Sequence, residues 1–183
     1  IRIYPQEWNT NIALRCGLIM DISPKISNNK RLNIPSTRRS ASSQTTGFEA
    51  DKGLIGATTA WLRASTDTTP WYGMSLATVK SITGIVIQGR NQTTSTTTAN
   101  QYIKQFTVKY LNDDGEWAEL DDNFQFFGTD QDDSTKYVIF NRPVDTDGIR
   151  IYVKEHTGDV SGRFDLLGPP TQTSTYAIQG YSF

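Results

Sequence analysis

Few side chains in this sequence could do chemistry. His156 is the only histidine and Cys16 the only cysteine in 183 residues. No nucleophile stands near His156. A lone cysteine cannot form an intrachain disulfide and ordinarily packs as a small hydrophobe; pairing between chains is the minority alternative. No Gly-rich phosphate loop, nucleophile elbow or cluster with metal-ligand spacing is present. The acidic runs "DDGEW" (113–117) and "DQDD" (130–133) lack EF-hand spacing and read as solvated turns. A glycosidase needs two carboxylates flanking a sugar cleft, and the spacing singles out no pair. The chain is expected to be non-catalytic. Two motifs remain. Lys30, Arg31, Arg38 and Arg39 lie close in "NNKRLN" and "STRRS" and could meet sulfated glycans or acidic headgroups, or simply form a solvated loop. Asn91-Gln92-Thr93 is a glycosylation sequon, usable in an extracellular protein.

Composition narrows the partners. The formal net charge is -1, so no basic field invites nucleic acid or an anionic membrane. No apolar run reaches membrane-spanning length, and no signal peptide is visible. The length suits one domain with extensions, large enough to bury a core without disulfides or metals.

The elements that must position these groups are strands. "SITGIVIQG" (81–89) is rich in β-branched residues. "QYIKQFTVKYL" (101–111) puts Tyr102, Phe106, Val108 and Tyr110 largely on one face. Asp114-Gly115 marks a hairpin turn. "KYVIFNRPV" (136–144), "GIRIYVKE" (148–155) and "GRFDLLG" (162–168) complete the set. Short strands at this spacing predict an antiparallel sandwich or barrel. Residues 21–47 are polar and loop-rich, interrupted by Pro24 and Pro35. "RNQTTSTTTANQ" (90–101) reads as a long surface loop. Residues 169–183 read as a Pro/Thr-rich linker and tail.

The chain also repeats itself. "IRIYPQEWNTNIALRCGLIM" overlays "IRIYVKEHTGDVSGRFDLLG" without a gap. Ile1 to Tyr4 fall on Ile149 to Tyr152, Glu7 on Glu155, Arg15 on Arg163 and Leu18 on Leu166.

The order of segments resembles the discoidin family, the coagulation factor C-type domain. "SASSQ" (40–44) resembles its early Ser-Ser strand. "ITGIVIQGRN…QYIKQFTVKYLNDDGEW" (82–117) resembles its Gln-Gly strand, long loop and following hairpin. The closing "IRIYVKEHTGDVSGRFDLLG" resembles its last two strands. Two departures stand out: the terminal disulfide of extracellular members has no counterpart, and His156 replaces a typical Trp. The resemblance covers residues 21–168. Residues 1–20 then resemble the closing strands of a preceding repeat, or a strand donated to a neighbour, which implies a tandem array.

The resemblance implies an all-β, antiparallel jelly-roll β-sandwich (galactose-binding-like) with ligand loops at one end. Those loops would be 44–53, 63–71 and 90–101. Lipid-inserting members carry bare apolar tips, and only Phe48 qualifies, so membrane insertion is disfavoured. Sugar-binding members combine an aromatic platform with planar polar groups. Arg63, Asp67, Arg90, Asn91 and Asn100 could supply the polar groups, and Trp61, Trp71 and Tyr72 the platform. Trp61 and Trp71 also sit where tryptophans pack in cores. Peptide-binding members grip an Arg terminus with an Asp and loop hydroxyls; Asp67 with the cluster that includes Thr94 and Ser95 fits that part. Thr46 completes the expected contacts. Related carbohydrate-binding modules hold a structural Ca²⁺ through a segment like "EADKGLIGATTAW" (49–61) and a closing-strand Glu. Arg163 occupies the Glu position and cannot ligate a cation. An Asp51–Arg163 salt bridge is expected there instead, with no cofactor.

The expected function is extracellular recognition or adhesion of a glycan or protein, beside neighbouring discoidin domains. The alternative is a structural repeat of a matrix, coat or fibre without a small ligand. Peripheral phospholipid binding is the third reading.

Overall fold

A computed structural model of the chain describes residues 29–93, 98–130 and 133–170. The expected N-terminal unit at 1–20 and most of the 169–183 tail lie outside them. The described residues form ten strands: β1 (Lys30–Arg31), β2 (Arg39–Ala41), β3 (Trp61–Leu62), β4 (Trp71–Gln88), β5 (Arg90–Thr93), β6 (Thr98–Leu111), β7 (Trp117–Glu119), β8 (Phe126–Phe127), β9 (Thr135–Thr157) and β10 (Ser161–Gly168). Hydrogen bonding runs in the order β1-β10-β4-β9-β6-β5, with β2 beside β4, β3 beside β10, and β7 and β8 beside β6. All strand pairs are antiparallel. The sheet curls on itself into the all-β jelly-roll sandwich that the segment order implies.

Two long strands make the curl. The strand signal at 81–89 is the end of one long strand, β4, that begins at Trp71. Register shifts between Ser75/Lys80 and Ile82/Gly84 bend it against β9. Bulges of this kind let a strand leave one layer and enter the next. β9 likewise joins the segments 136–144 and 148–155 across Pro143. The two flanks of the Thr-rich stretch expected as a long loop instead form a ribbon: β5 pairs with β6 from Arg90↔Gln101 to Thr93↔Thr98. Threonine is β-branched and suits a strand.

The core has two aromatic centres. Trp61, Tyr72 and Phe164 pack with centroids 4.4 to 6.3 Å apart. Phe126 contacts Phe106 at 5.8 Å and Phe140 at 5.5 Å. Trp61 is thus a core residue, with its indole N–H donating to the Ser43 carbonyl at 2.8 Å.

Most of the basic cluster is consumed by the architecture. Arg31 Nε donates to buried Asp165 at 3.1 Å, beside the amides of Asn33 and Ile34. Arg38 donates to the Leu76 carbonyl at 3.0 Å. Arg39 donates to the carbonyls of Ile34, Gly53 and Phe164 and to the Tyr72 hydroxyl. That hydroxyl in turn donates to the Ala50 carbonyl at 2.7 Å, and burial pushes its pKa up to about 12. Three of the four cations are therefore tied to the protein rather than spread as one open basic surface.

Gly84 sets the closest approach of β4 to β9. A Cβ there would sit 2.2 Å from the Val138 carbonyl oxygen, a backbone atom that cannot swing aside. Gly84→Ala is expected to destabilise the fold by about 1–3 kcal/mol, as overpacking does. Urea denaturation should show a lower midpoint with unchanged slope.

Candidate functional site at the loop end

The three expected loops meet at one end of the sandwich. Asp67 ties loop 63–71 to the start of loop 44–53. Its Oδ2 accepts hydrogen bonds from the hydroxyls of Ser42 and Ser43, and its Oδ1 accepts from the Thr69 amide at 3.0 Å. Arg63 donates to the Asp67 carbonyl and lies 3.6 Å from Asp159 in the β9–β10 turn. Partial burial pushes the Asp67 carboxyl up, but the two serine hydroxyls, the Thr69 amide and Arg63 outweigh it. The net pKa falls below the usual aspartate range. Asp67 is therefore held as a rigid anion.

The ribbon meets loop 44–53 through Phe48. The Arg90 guanidinium carbon lies 4.1 Å from the Phe48 ring centroid. Arg90 is buried, and its Nη1 donates to Gln101 Oε1 at 3.1 Å. Burial, and then the neighbouring Arg163 cation, lower its pKa, though arginine stays charged. Phe48 is thus half-buried under a cation rather than a bare tip. Thr46 and Asn100 are exposed at the same end. Thr94 and Ser95 lie outside the described residues. Asn91 pairs with Asn100 across the ribbon, and its side chain is also outside them. His156, exposed beside the turn, hydrogen-bonds through Nδ1 to the Gly158 carbonyl at 2.8 Å.

Two expectations need correction. The first is the Asp51–Arg163 pair. Arg163 instead donates to the carbonyls of Ala57 and Gly89 and pairs with Asp133. Asp51 pairs with its neighbour Lys52 at 3.2 Å, and its Oδ1 is buried without a partner. The reason is register. Arg163 lies opposite Gln88, at the end of β4, while Asp51 sits in a 3-10 turn behind Tyr72. The inward carbonyls are taken by guanidinium donors, those of Gly53 and Phe164 by Arg39 and those of Ala57 and Gly89 by Arg163. Calcium needs six to eight oxygens, whereas these four carbonyls already accept from guanidinium donors.

The second correction concerns Trp71. Its amide joins the loop-end network by donating to Ser42 Oγ at 3.0 Å. Its ring does not. The indole stacks on Arg150 of β9, with 4.1 Å from guanidinium carbon to centroid, and the Trp117 ring centroid lies 4.0 Å from the same guanidinium carbon. Sequence reading missed Arg150 and Trp117 because the three residues meet only through cross-strand register.

Loss of the Asp67 charge has a signed consequence. A lowered folded pKa contributes stability above the unfolded pKa, and that contribution disappears as pH falls through the folded value. Asp67→Asn should lower stability at neutral pH, with the gap to wild type closing as pH falls below the usual aspartate range. Urea titrations at several pH values would test this; a gap independent of pH would contradict it.

Comparison with known proteins agrees with the geometry. The family model described as F5/8 type C domain matches residues 38–166. The chain is 29% identical over 126 residues to human EGF-like repeat and discoidin I-like domain-containing protein 3, covering 64% of this chain and 24% of that protein. It is 29% identical over 119 residues to rat lactadherin, covering 62% and 27%. The chain thus spans about a quarter of the length of these curated relatives. Among solved structures it resembles Dictyostelium discoideum discoidin II, with a TM-score of 0.64 and 16% identity over 73% of this chain and 55% of that one. A family 32 carbohydrate-binding module of Clostridium perfringens NanJ, solved with galactose, gives a TM-score of 0.60 at 19% identity, over 76% of this chain and 98% of that one. The curled antiparallel sheet, the convergent loops and the family match over 38–166 agree: the chain belongs to the F5/8 type C (discoidin) domain family.

Proposed function

We propose that this chain is an extracellular, non-catalytic recognition module that binds a glycan through its loop end. The observation that carries the reading is the rigid Asp67 carboxylate. It is anchored by Ser42, Ser43 and Thr69 beside Arg63. Sugar hydroxyls are bound by fixed planar acceptors and donors of this kind, and preorganisation lowers the cost of ordering the site on binding. The galactose-bound NanJ module supports a glycan over a protein ligand; relatives such as lactadherin support an extracellular setting. Phospholipid insertion fits less well, because Phe48 is capped by Arg90 and no other apolar side chain is described on these loops' tips. The fold is proposed to need no calcium, since Arg39 and Arg163 already satisfy the inward carbonyls. A tandem array remains part of the proposal, supported by the repeat of 1–4 at 149–152. An alignment to the omicarin-C non-catalytic subunit of Oxyuranus microlepidotus venom reaches 92% of this chain, well beyond 38–166.

A glycan array with the purified chain is expected to give binding to a galactose-containing subset. Asp67→Asn should weaken that binding about ten-fold, the scale of one charge-assisted hydrogen bond. Binding that survives Asp67→Asn unchanged would move the site elsewhere. Absence of any glycan signal would favour the structural-repeat alternative.

A further inference from the structure

The outer face of the sheet carries a second, unassigned arrangement of charge. Arg150 projects from β9 between two indoles. Trp71 comes from β4 and Trp117 from β7, on opposite sides. Two glycines make the room. Gly73 lies directly opposite Arg150, and a Cβ there would stand 3.1 Å from the Trp71 ring. Gly148 lies two residues before Arg150 on the same strand, and a Cβ there would stand 3.1 Å from the Trp117 ring.

The stack fixes the guanidinium without using its donors. Among the described residues the Arg150 side chain has no hydrogen-bond or ion-pair partner, yet it is only half-exposed. Cation–π contact engages the two faces of the guanidinium plane. The N–H fork lies in that plane, and it is the fork that matches a carboxylate or sulfate bidentately. A half-exposed cation with a fixed plane and idle donors is set up for an oxyanion.

Its surroundings extend the argument. Lys109 is the cross-strand partner of Arg150, and Tyr152 is the next residue of β9 on the same face. They line a groove of about 410 Å³ with Lys154, walled by Thr68, Thr69 and Asn123. Glu119 also lines it, but is held by Lys109 at 3.6 Å. Lys154 is exposed and has no ion-pair partner among the described residues. Lys109 and Lys154 thus line the groove with one acid, and Arg150 lies beside it as the cross-strand partner of Lys109. Hydroxyl and amide walls suit sugar hydroxyls, and no large apolar tip rises from the groove to enter a bilayer.

We propose that the Trp71–Arg150–Trp117 clamp and this groove form a second binding site, for the carboxylate or sulfate groups of an acidic oligosaccharide. It rests on the reading of the chain as a glycan-binding module; its charged groups differ from those of the loop end, although loop 63–71 borders both sites through Thr69. The probe is a heparin hexasaccharide, titrated calorimetrically against the full chain, with a neutral chitin hexasaccharide and phosphatidylserine vesicles as separate arms. Heparin binding that weakens with added salt is expected. Arg150→Lys keeps a cation between the indoles but loses the fork, and should weaken it about ten-fold. Lys154→Ala, at an exposed position, should weaken it several-fold with the melting temperature unchanged. Asp67→Asn should leave it intact while impairing neutral-glycan binding at the loop end. That contrast separates failure of this site from failure of the loop-end reading. Absence of heparin binding, affinity unchanged in both groove variants, or retention on vesicles in place of the oligosaccharide overturns the proposal.

Discussion

The loop end of this sandwich depends on two guanidinium groups that fill positions where strands cannot reach. Inward carbonyls need donors, and leaving them bare in the interior is costly. Arg39 collects those of Ile34, Gly53 and Phe164. Arg163 collects those of Ala57 and Gly89. Each side chain therefore sews a loop to β10. A guanidinium suits this task because it offers five N–H donors in a fixed plane; a lysine ammonium offers three on a flexible stem. The desolvated charge is also compensated differently. Arg163 meets Asp133, whereas Arg39 is satisfied by carbonyl dipoles and the Tyr72 hydroxyl, which stays protonated because burial raises its pKa.

The same chemistry recurs at the surface with a different outcome. Arg90 is buried with its face on Phe48 and a donor on Gln101, so it supports the loops from beneath. Arg150 meets two indole rings and has no acceptor among the described residues. The first arrangement is closed and the second is open. One residue type thus serves as scaffold at one end of the domain and as the half-exposed group of the proposed second site on its flank. A near-zero net charge conceals this segregation, because acids such as those at 113–116 and 121–122 sit on other turns.

Much of the fold was legible because strand signals are local. Alternation in 101–111, the β-branched run at 81–89 and the turn at Asp114-Gly115 each announced themselves, and the turn glycine does take φ 78°. The segment order then carried the jelly roll. What sequence could not supply was register. Asp51 and Arg163 were paired by analogy to a metal-binding segment, but Arg163 lies opposite Gln88 and so reaches Gly89 and Ala57. The Thr-rich stretch lacked apolar residues and so read as a loop, although its flanks at 90–93 and 98–101 pair as a ribbon.

Tryptophan placement shows the same limit from another direction. Trp61 and Trp71 are ten residues apart in similar contexts, and either could have been core or platform. Their fates follow from which face of the sheet each occupies. Trp61 enters the interior because its N–H finds the Ser43 carbonyl and its ring meets Tyr72 and Phe164. Trp71 is one position before buried Tyr72, so strand alternation turns it outward. An outward indole still needs apolar contact. It obtains that contact from the Arg150 guanidinium and the space above Gly73. The glycine, the arginine and both indoles therefore form one unit. Enlarging Gly73 would displace the indole, and removing the indole would release the guanidinium plane that makes the flank selective for an oxyanion.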